Sequence, residues 1–147
     1  MTSCRYWSRA ILLVGMFLYG LLAVALIMPF LRRFLSRRSQ AVCESIVLNW
    51  NRMVCRILHI RIRVTGVPDH AARLTVANHV SWLDIIALGS LQPYLFVAKE
   101  EVADWPVMGT LARGIGTLFI RRGDAEQSTA VGETMTWLLR RGTRLLV

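Results

Sequence analysis

The sequence predicts an α/β protein in which an N-terminal membrane helix and an amphipathic helix precede a mixed, largely parallel αβ domain. Three observations predict it. An uncharged apolar run spans Ile11 to Leu31, the segment after it repeats apolar residues at steps of three and four, and beyond Arg61 short β-rich runs alternate with helical ones. Such alternation joins parallel strands through helical crossovers. The 147 residues divide by composition at 1–38, 39–60 and 61–147.

Ile11–Leu31 holds 21 residues without a charge, about 31 Å of helix at 1.5 Å per residue and enough to cross a hydrocarbon core. A cleaved signal peptide is the rival reading, but no small-x-small site follows Pro29. Arg32, Arg33, Arg37 and Arg38 follow the run and only Arg5 and Arg9 precede it. The positive-inside bias therefore places the remaining chain in the cytoplasm, at the inner (plasma) membrane, and is compatible both with a run that crosses the bilayer and with one that lies within one leaflet.

From Gln40 to Ile60, Val42, Cys43, Ile46, Val47, Trp50, Met53, Val54, Ile57 and Leu58 fall on one face, with Glu44, Asn49, Asn51, Arg52 and Arg56 on the other. Two readings stay open: a helix in the head-group plane with Trp50 at the interface, or a helix packed on a soluble core. Charge favours a membrane partner. Residues 1–63 hold ten arginines and one acid, Glu44, whereas residues 64–147 balance, and the whole chain carries +9 with a mean hydropathy of +0.45. An excess confined to apolar segments would meet anionic head groups, so no nucleic-acid partner is expected. Cys4, Cys43 and Cys55 have no ligand-like spacing, which indicates reduced thiols rather than a disulfide frame or zinc site.

Beyond Arg61, candidate strands are Ile60–Thr65, Arg73–Ala77, Tyr94–Ala98, Thr117–Arg121 and Thr143–Val147. Candidate helices are Ser81–Leu91, a Pro106-interrupted stretch from Glu100 to Arg113, and Ala125–Arg141, with a turn at 66–69 between the first two strands. Trp82, Leu83, Ile85, Ile86 and Leu88 are the candidate core of the first of these helices, with an acyl-chain groove as the other use of some.

Asn78-His79-Val80-Ser81-Trp82-Leu83-Asp84 places a histidine in a strand-to-helix loop and a carboxylate in the following first turn. Ligands gather at the carboxyl ends of strands in open α/β sheets. A histidine titrating near neutrality can take a proton from an alcohol when a partner such as Asp84 orients it and steadies the imidazolium. The competing reading is a capping box, Ser81-x-x-Asp84, present only to start the helix. Both can hold at once.

The N-H-x-S-x-x-D string resembles the first motif of the glycerophospholipid acyltransferases, the family of 1-acyl-sn-glycerol-3-phosphate acyltransferase. The likeness continues through Phe96-Val97-Ala98-Lys99-Glu100-Glu101, Trp105-Pro106-Val107-Met108-Gly109 and Gly116-Thr117-Leu118-Phe119-Ile120-Arg121-Arg122, over roughly residues 40 to 147. It implies the first half of an acyltransferase domain. Its reaction moves a fatty acyl group from acyl-CoA or acyl-acyl carrier protein to the free hydroxyl of a lysophospholipid, 1-acyl-glycerol-3-phosphate becoming phosphatidic acid. By this resemblance His79 is the base, Asp84 its orienting partner and Arg122 the ligand of the acceptor's phosphate, a role suited to a guanidinium fork. Asn78, Ser81, Arg121 and Lys99 complete the expected site. A solvated charge pair is the other reading of Arg121–Arg122, and a solvated partner of the neighbouring glutamates that of Lys99.

No metal or redox cofactor is expected, since alcoholysis of a thioester needs a base and oxyanion donors. The partners implied are the lysophospholipid acceptor, the acyl thioester donor and membrane lipids. Many relatives carry an acid where this chain has Arg121, and the family's third motif, F-P-E-G-T-R, is absent; Arg141-Gly142-Thr143-Arg144 holds only a G-T-R string. The expectation is a chain that stops before that motif. Two alternatives stand beside the main reading: an acyltransferase for another lyso-lipid, such as lyso-ornithine lipid, or a non-catalytic membrane-binding remnant.

Overall fold

The computed structural model describes residues 2–34, 39–67, 69, 71–121 and 123–147, with side chains from residue 6 onward. The chain forms two compact units, residues 1–64 with 79–93, and residues 65–78 with 94–147.

The first unit is helical. The apolar run forms α1 (Thr2–Leu22), a π-helical turn (Ala23–Ile27) and α2 (Met28–Phe34). Pro29 explains the interruption. A proline has no N–H for the i−4 carbonyl and its ring crowds it, so the preceding turn widens, and the Met28 N–H reaches back to the Ala23 carbonyl. From Tyr6 to Phe34 this is one helix long and apolar enough to cross a membrane.

The amphipathic helix is α3 (Ser39–Leu58), which packs against α1 and against α4 (Trp82–Gly89). Val54, Cys55 and Ile86 form the buried cluster, surrounded by Leu13, Met16, Trp50, Leu58 and Ile60. Of the expected α4 core residues Ile86 alone is fully buried, while Trp82 stays partly exposed. Asn51 departs from its expected polar side. It is buried because its amide donates to the Val47 carbonyl at 3.0 Å, which satisfies it within the helix. Cys43 and Cys55 are buried free thiols.

The strand expected at Ile60–Thr65 does not form. His59 adopts φ 58°, its N–H bonds the Arg56 carbonyl at 3.1 Å, and the Ile60 N–H bonds the Cys55 carbonyl at 2.9 Å. This pattern of bonds closes α3 in a Schellman turn, with Ile60 turned inward onto Cys55 and the cluster. Ile60 is therefore spent as a helix stop, and the turn at 66–69 does not join two strands.

The second unit is a four-stranded sheet in the order β1-β4-β2-β3, from β1 (Leu74–Thr75), β2 (Leu95–Lys99), β3 (Leu118–Ile120) and β4 (Leu145–Leu146). Every pairing is parallel. Leu145 and Leu146 sit in the centre and are fully buried, as strands covered on both faces are. Arg141–Arg144 forms the turn into β4, with the N–H groups of Gly142 and Thr143 capping α6 (Ala125–Arg140) and the Arg144 carbonyl accepting from Leu95.

The Pro106-interrupted stretch resolves into a 3₁₀-helix (Glu100–Asp104) and α5 (Met108–Ile115). Gly116, at φ 89°, ends α5 in the left-handed conformation that glycine tolerates best. Gly109 answers a closer constraint, since a Cβ there would lie 2.0 Å from the Ala103 carbonyl oxygen. Gly109→Ala is expected to destabilise the unit by about 1–3 kcal/mol, because backbone rather than a flexible side chain must yield. A thermal midpoint equal to that of the unsubstituted protein would show that the contact relaxes freely.

Candidate active site

The expected site residues fall in both units. His79, Ser81 and Asp84 lie within one turn of the first, at the amino end of α4. Ser81 adopts an extended N-cap conformation, and its Oγ accepts from the Leu83 N–H at 3.1 Å. Asp84 reaches back: its Oδ2 accepts from the N–H groups of Ser81 at 3.0 Å and Val80 at 3.1 Å. The capping box is thus formed. It fixes the carboxylate and leaves Oδ1 without a hydrogen bond among the described residues. His79 is exposed and its ring is likewise unbonded among the described residues. The loop carries an exposed imidazole five residues before a carboxylate held by two backbone N–H groups, with no hydrogen bond joining the two among the described residues.

Asn78, Lys99 and Arg121 belong to the second unit. Asn78 is exposed in the segment that follows β1, just after the last ladder bond, from the Ala77 N–H to the Val147 carbonyl. Lys99 ends β2 and is exposed. The register that sets Lys99 beside Ile120 brings the next residues, Glu100 and Arg121, together at the carboxyl ends of adjacent strands. Arg121 grips Glu100 with both Nε and Nη2, the latter at 3.0 Å, and its N–H donates to Gln127 Oε1. The hydrogen-bonded Arg121 guanidinium holds the Glu100 carboxyl below the usual carboxylate range, and Glu100 raises Arg121 in turn. Exposure of both side chains leaves this pair little to contribute to stability. The Arg121 guanidinium is thus paired with a carboxylate. Arg122 lies outside the described residues.

Sequence reasoning missed two participants. Glu100 was read as a neighbour of Lys99, yet it is the partner of Arg121, a pairing visible only once β2 and β3 are known to be adjacent and in register. Arg52 was read as a surface charge of α3. Its Nε donates to the Ser90 carbonyl at 3.0 Å, so it caps the carboxyl end of the helix whose amino end carries the motif.

The family model described as Acyltransferase matches residues 61–147. This chain belongs to the acyltransferase family. Among curated acyltransferases it is similar to the lyso-ornithine lipid O-acyltransferase of Pseudomonas aeruginosa, 44% identical over 98 residues, covering 67% of this chain and 38% of that protein. The lyso-ornithine lipid O-acyltransferase of Rhodobacter capsulatus is 45% identical over 98 residues, covering 64% of this chain and 35% of that protein. The 1-acyl-sn-glycerol-3-phosphate acyltransferase of Neisseria meningitidis is 37% identical over 98 residues, covering 65% of this chain and 38% of that protein. The matched regions thus span little more than a third of these relatives' lengths. No solved structure matches.

Proposed function

We propose that the full-length protein is a membrane-bound lysolipid O-acyltransferase, with 1-acyl-glycerol-3-phosphate as its acceptor and an acyl thioester, carried by coenzyme A or acyl carrier protein, as its donor. The observation that carries this reading is the capped amino end of α4, where the N-H-x-S-x-x-D string fixes Asp84 through two backbone N–H groups and leaves His79 exposed and unbonded among the described residues. In this mechanism His79 removes the proton from the acceptor hydroxyl as its oxygen attacks the thioester carbon. The carbon–sulfur bond then breaks, and the proton leaves with the thiol. Asp84 orients the imidazole and stabilises its cation. No cofactor beyond the thioester takes part. Arg122 binds the acceptor's phosphate, Lys99 adds positive charge, and Asn78 and Ser81 shape the loop. The reaction runs on the cytoplasmic side of the inner membrane, with the apolar helix lying within that leaflet, because the antiparallel packing of α1 and α3 sets His59 at Arg9 rather than at the Arg32–Arg33 end.

A second reading, with lyso-ornithine lipid as acceptor, draws on one observation. Arg121 is already paired with Glu100, which leaves one fewer free guanidinium for a phosphate. The relatives from P. aeruginosa and R. capsulatus carry that lipid in their names.

The test supplies membranes containing the full-length protein with labelled acyl thioester and each acceptor in turn. Phosphatidic acid formation above that of the His79→Ala variant supports the first reading, acylation of lyso-ornithine lipid alone supports the second, and neither product sinks both. With the phosphorylated acceptor, Arg122→Ala is expected to raise the acceptor KM about ten- to a hundredfold, the loss of a charge-assisted contact. Arg121→Ala should change it far less. A rise confined to the thioester KM would assign Arg122 to the donor instead.

A further inference from the structure

Within the first unit an open apolar groove of about 320 Å³ runs between α1 and α3, walled by Met16 and Tyr19 on one side and by Val42, Ile46, Trp50 and Met53 on the other. The helices are antiparallel here: Trp50 Nε1 donates to the Met16 carbonyl at 2.7 Å, and farther along Arg9 meets His59. Val42 and Met53, members of the apolar stripe of α3, are left exposed along the opening.

Two arginines lie beyond the Met53 end of the groove without lining it. Arg56, in the turn after Met53, brings Nη1 to 3.4 Å from the Met53 sulfur. Just past the last turn of α3, Arg9 Nη2 lies 3.3 Å from His59 Nε2. His59 Nδ1 lies 3.2 Å from the Ile57 carbonyl. Neither guanidinium has a carboxylate partner among the described residues. The ion pairs there, Arg113–Asp104 and Arg121–Glu100, lie in the other unit, and Glu44, the single acid among residues 1–63, accepts from Gln40.

Largely apolar walls with unneutralised arginines beyond one end are the complement of an acyl chain that carries a phosphate. A free phosphate has no use for the walls, and an uncharged lipid none for the arginines. One wall belongs to the helix apolar enough to cross a membrane, so a bilayer lipid reaches the groove without passing through water. On the side of α4, Phe17 packs edge-on against both Trp50 and Trp82, with ring centroids 5.4 and 6.4 Å away. These rings separate the groove from the helix that carries Asp84, which favours a resident lipid over the reacting one. The geometry points to a binding site for one anionic diacyl phospholipid of the surrounding bilayer, with an acyl chain between α1 and α3 and its phosphate at Arg56 and Arg9. Such a lipid clamps α1 onto α3. Through Arg52 and Ser90 it also braces α4.

Native mass spectrometry of the full-length protein, released from detergent micelles containing phosphatidylglycerol or phosphatidylcholine, tests this without reference to turnover. One phosphatidylglycerol is expected to be retained about ten- to a hundredfold more tightly than phosphatidylcholine. The double substitution Arg9→Gln and Arg56→Gln should erase the preference. Ser45→Trp, or Asn49→Trp where the first fails to fold, fills the groove from its open edge and should abolish retention of both lipids. Co-sedimentation with vesicles should remain, because the apolar helix is intact. Equal retention of the two lipids, or retention unchanged by filling the groove, overturns the proposal. So does displacement of phosphatidylglycerol by 1-acyl-glycerol-3-phosphate at concentrations that support turnover, which would make the groove the acceptor's own site.

Discussion

His79→Ala in the full-length protein is expected to lower acyl transfer by about two to four orders of magnitude, the usual loss when a positioned general base is removed. Membrane association and folding should be unchanged. His79 is exposed and unbonded among the described residues, so its removal opens no cavity and strands no polar group. Labelled acyl transfer measures the rate, and vesicle co-sedimentation with a thermal melt reports the rest. A variant that keeps more than about a tenth of the wild-type rate would remove His79 from the role of base, whatever its place in the motif.

Asp84→Asn should cost a comparable factor, about two to four orders of magnitude, because a neutral amide neither stabilises the imidazolium nor enforces its tautomer. The stability loss should be only about 1 kcal/mol. Asp84 Oδ2 accepts two backbone N–H groups at the start of α4, and the amide oxygen of asparagine retains that geometry while losing the charge. The discriminating result is the ratio of the two effects. If turnover falls only as far as the thermal midpoint predicts, Asp84 is a helix cap and nothing more. If turnover collapses while the melt barely moves, the carboxylate acts in the chemistry as well as in the fold.

Where the residues themselves determine local structure, the sequence was legible. Ser81 and Asp84 announce the start of α4 because a capping box needs only its own four residues, and Ala125–Arg140 and Ser39–Leu58 follow from periodicity. The apolar run reads as one helix, but the π turn ahead of Pro29 was not foreseen. Ile60, Ile62 and Val64 alternate like a strand, yet a strand requires a neighbour, and Ile60 is committed to the buried cluster instead. Asn51 looks like a surface residue until its amide is seen to find a carbonyl one turn back. The Arg121–Glu100 pair was illegible for a topological reason: twenty residues separate partners that only the parallel register of β2 and β3 sets side by side. The likeness to the family began with the string from Asn78 to Asp84, which occupies one loop and one helical turn, and continued through strings in and around β2, α5 and β3.

The strand order has a consequence for the timing of synthesis. Among the described residues β1 pairs with β4 alone, Leu74 with Leu145, so about seventy residues must follow β1 from the ribosome before its backbone finds that partner. At translation speeds of about 5–20 residues per second that wait is roughly 4–14 s. Throughout it the chain leading into Asn78 has no ladder to hold it, whereas α1 and α3 are complete and can already meet the bilayer. The nascent protein is therefore tethered to a membrane before its sheet closes. During that interval unpaired β1 is held at a lipid surface rather than free to pair with another chain in solution.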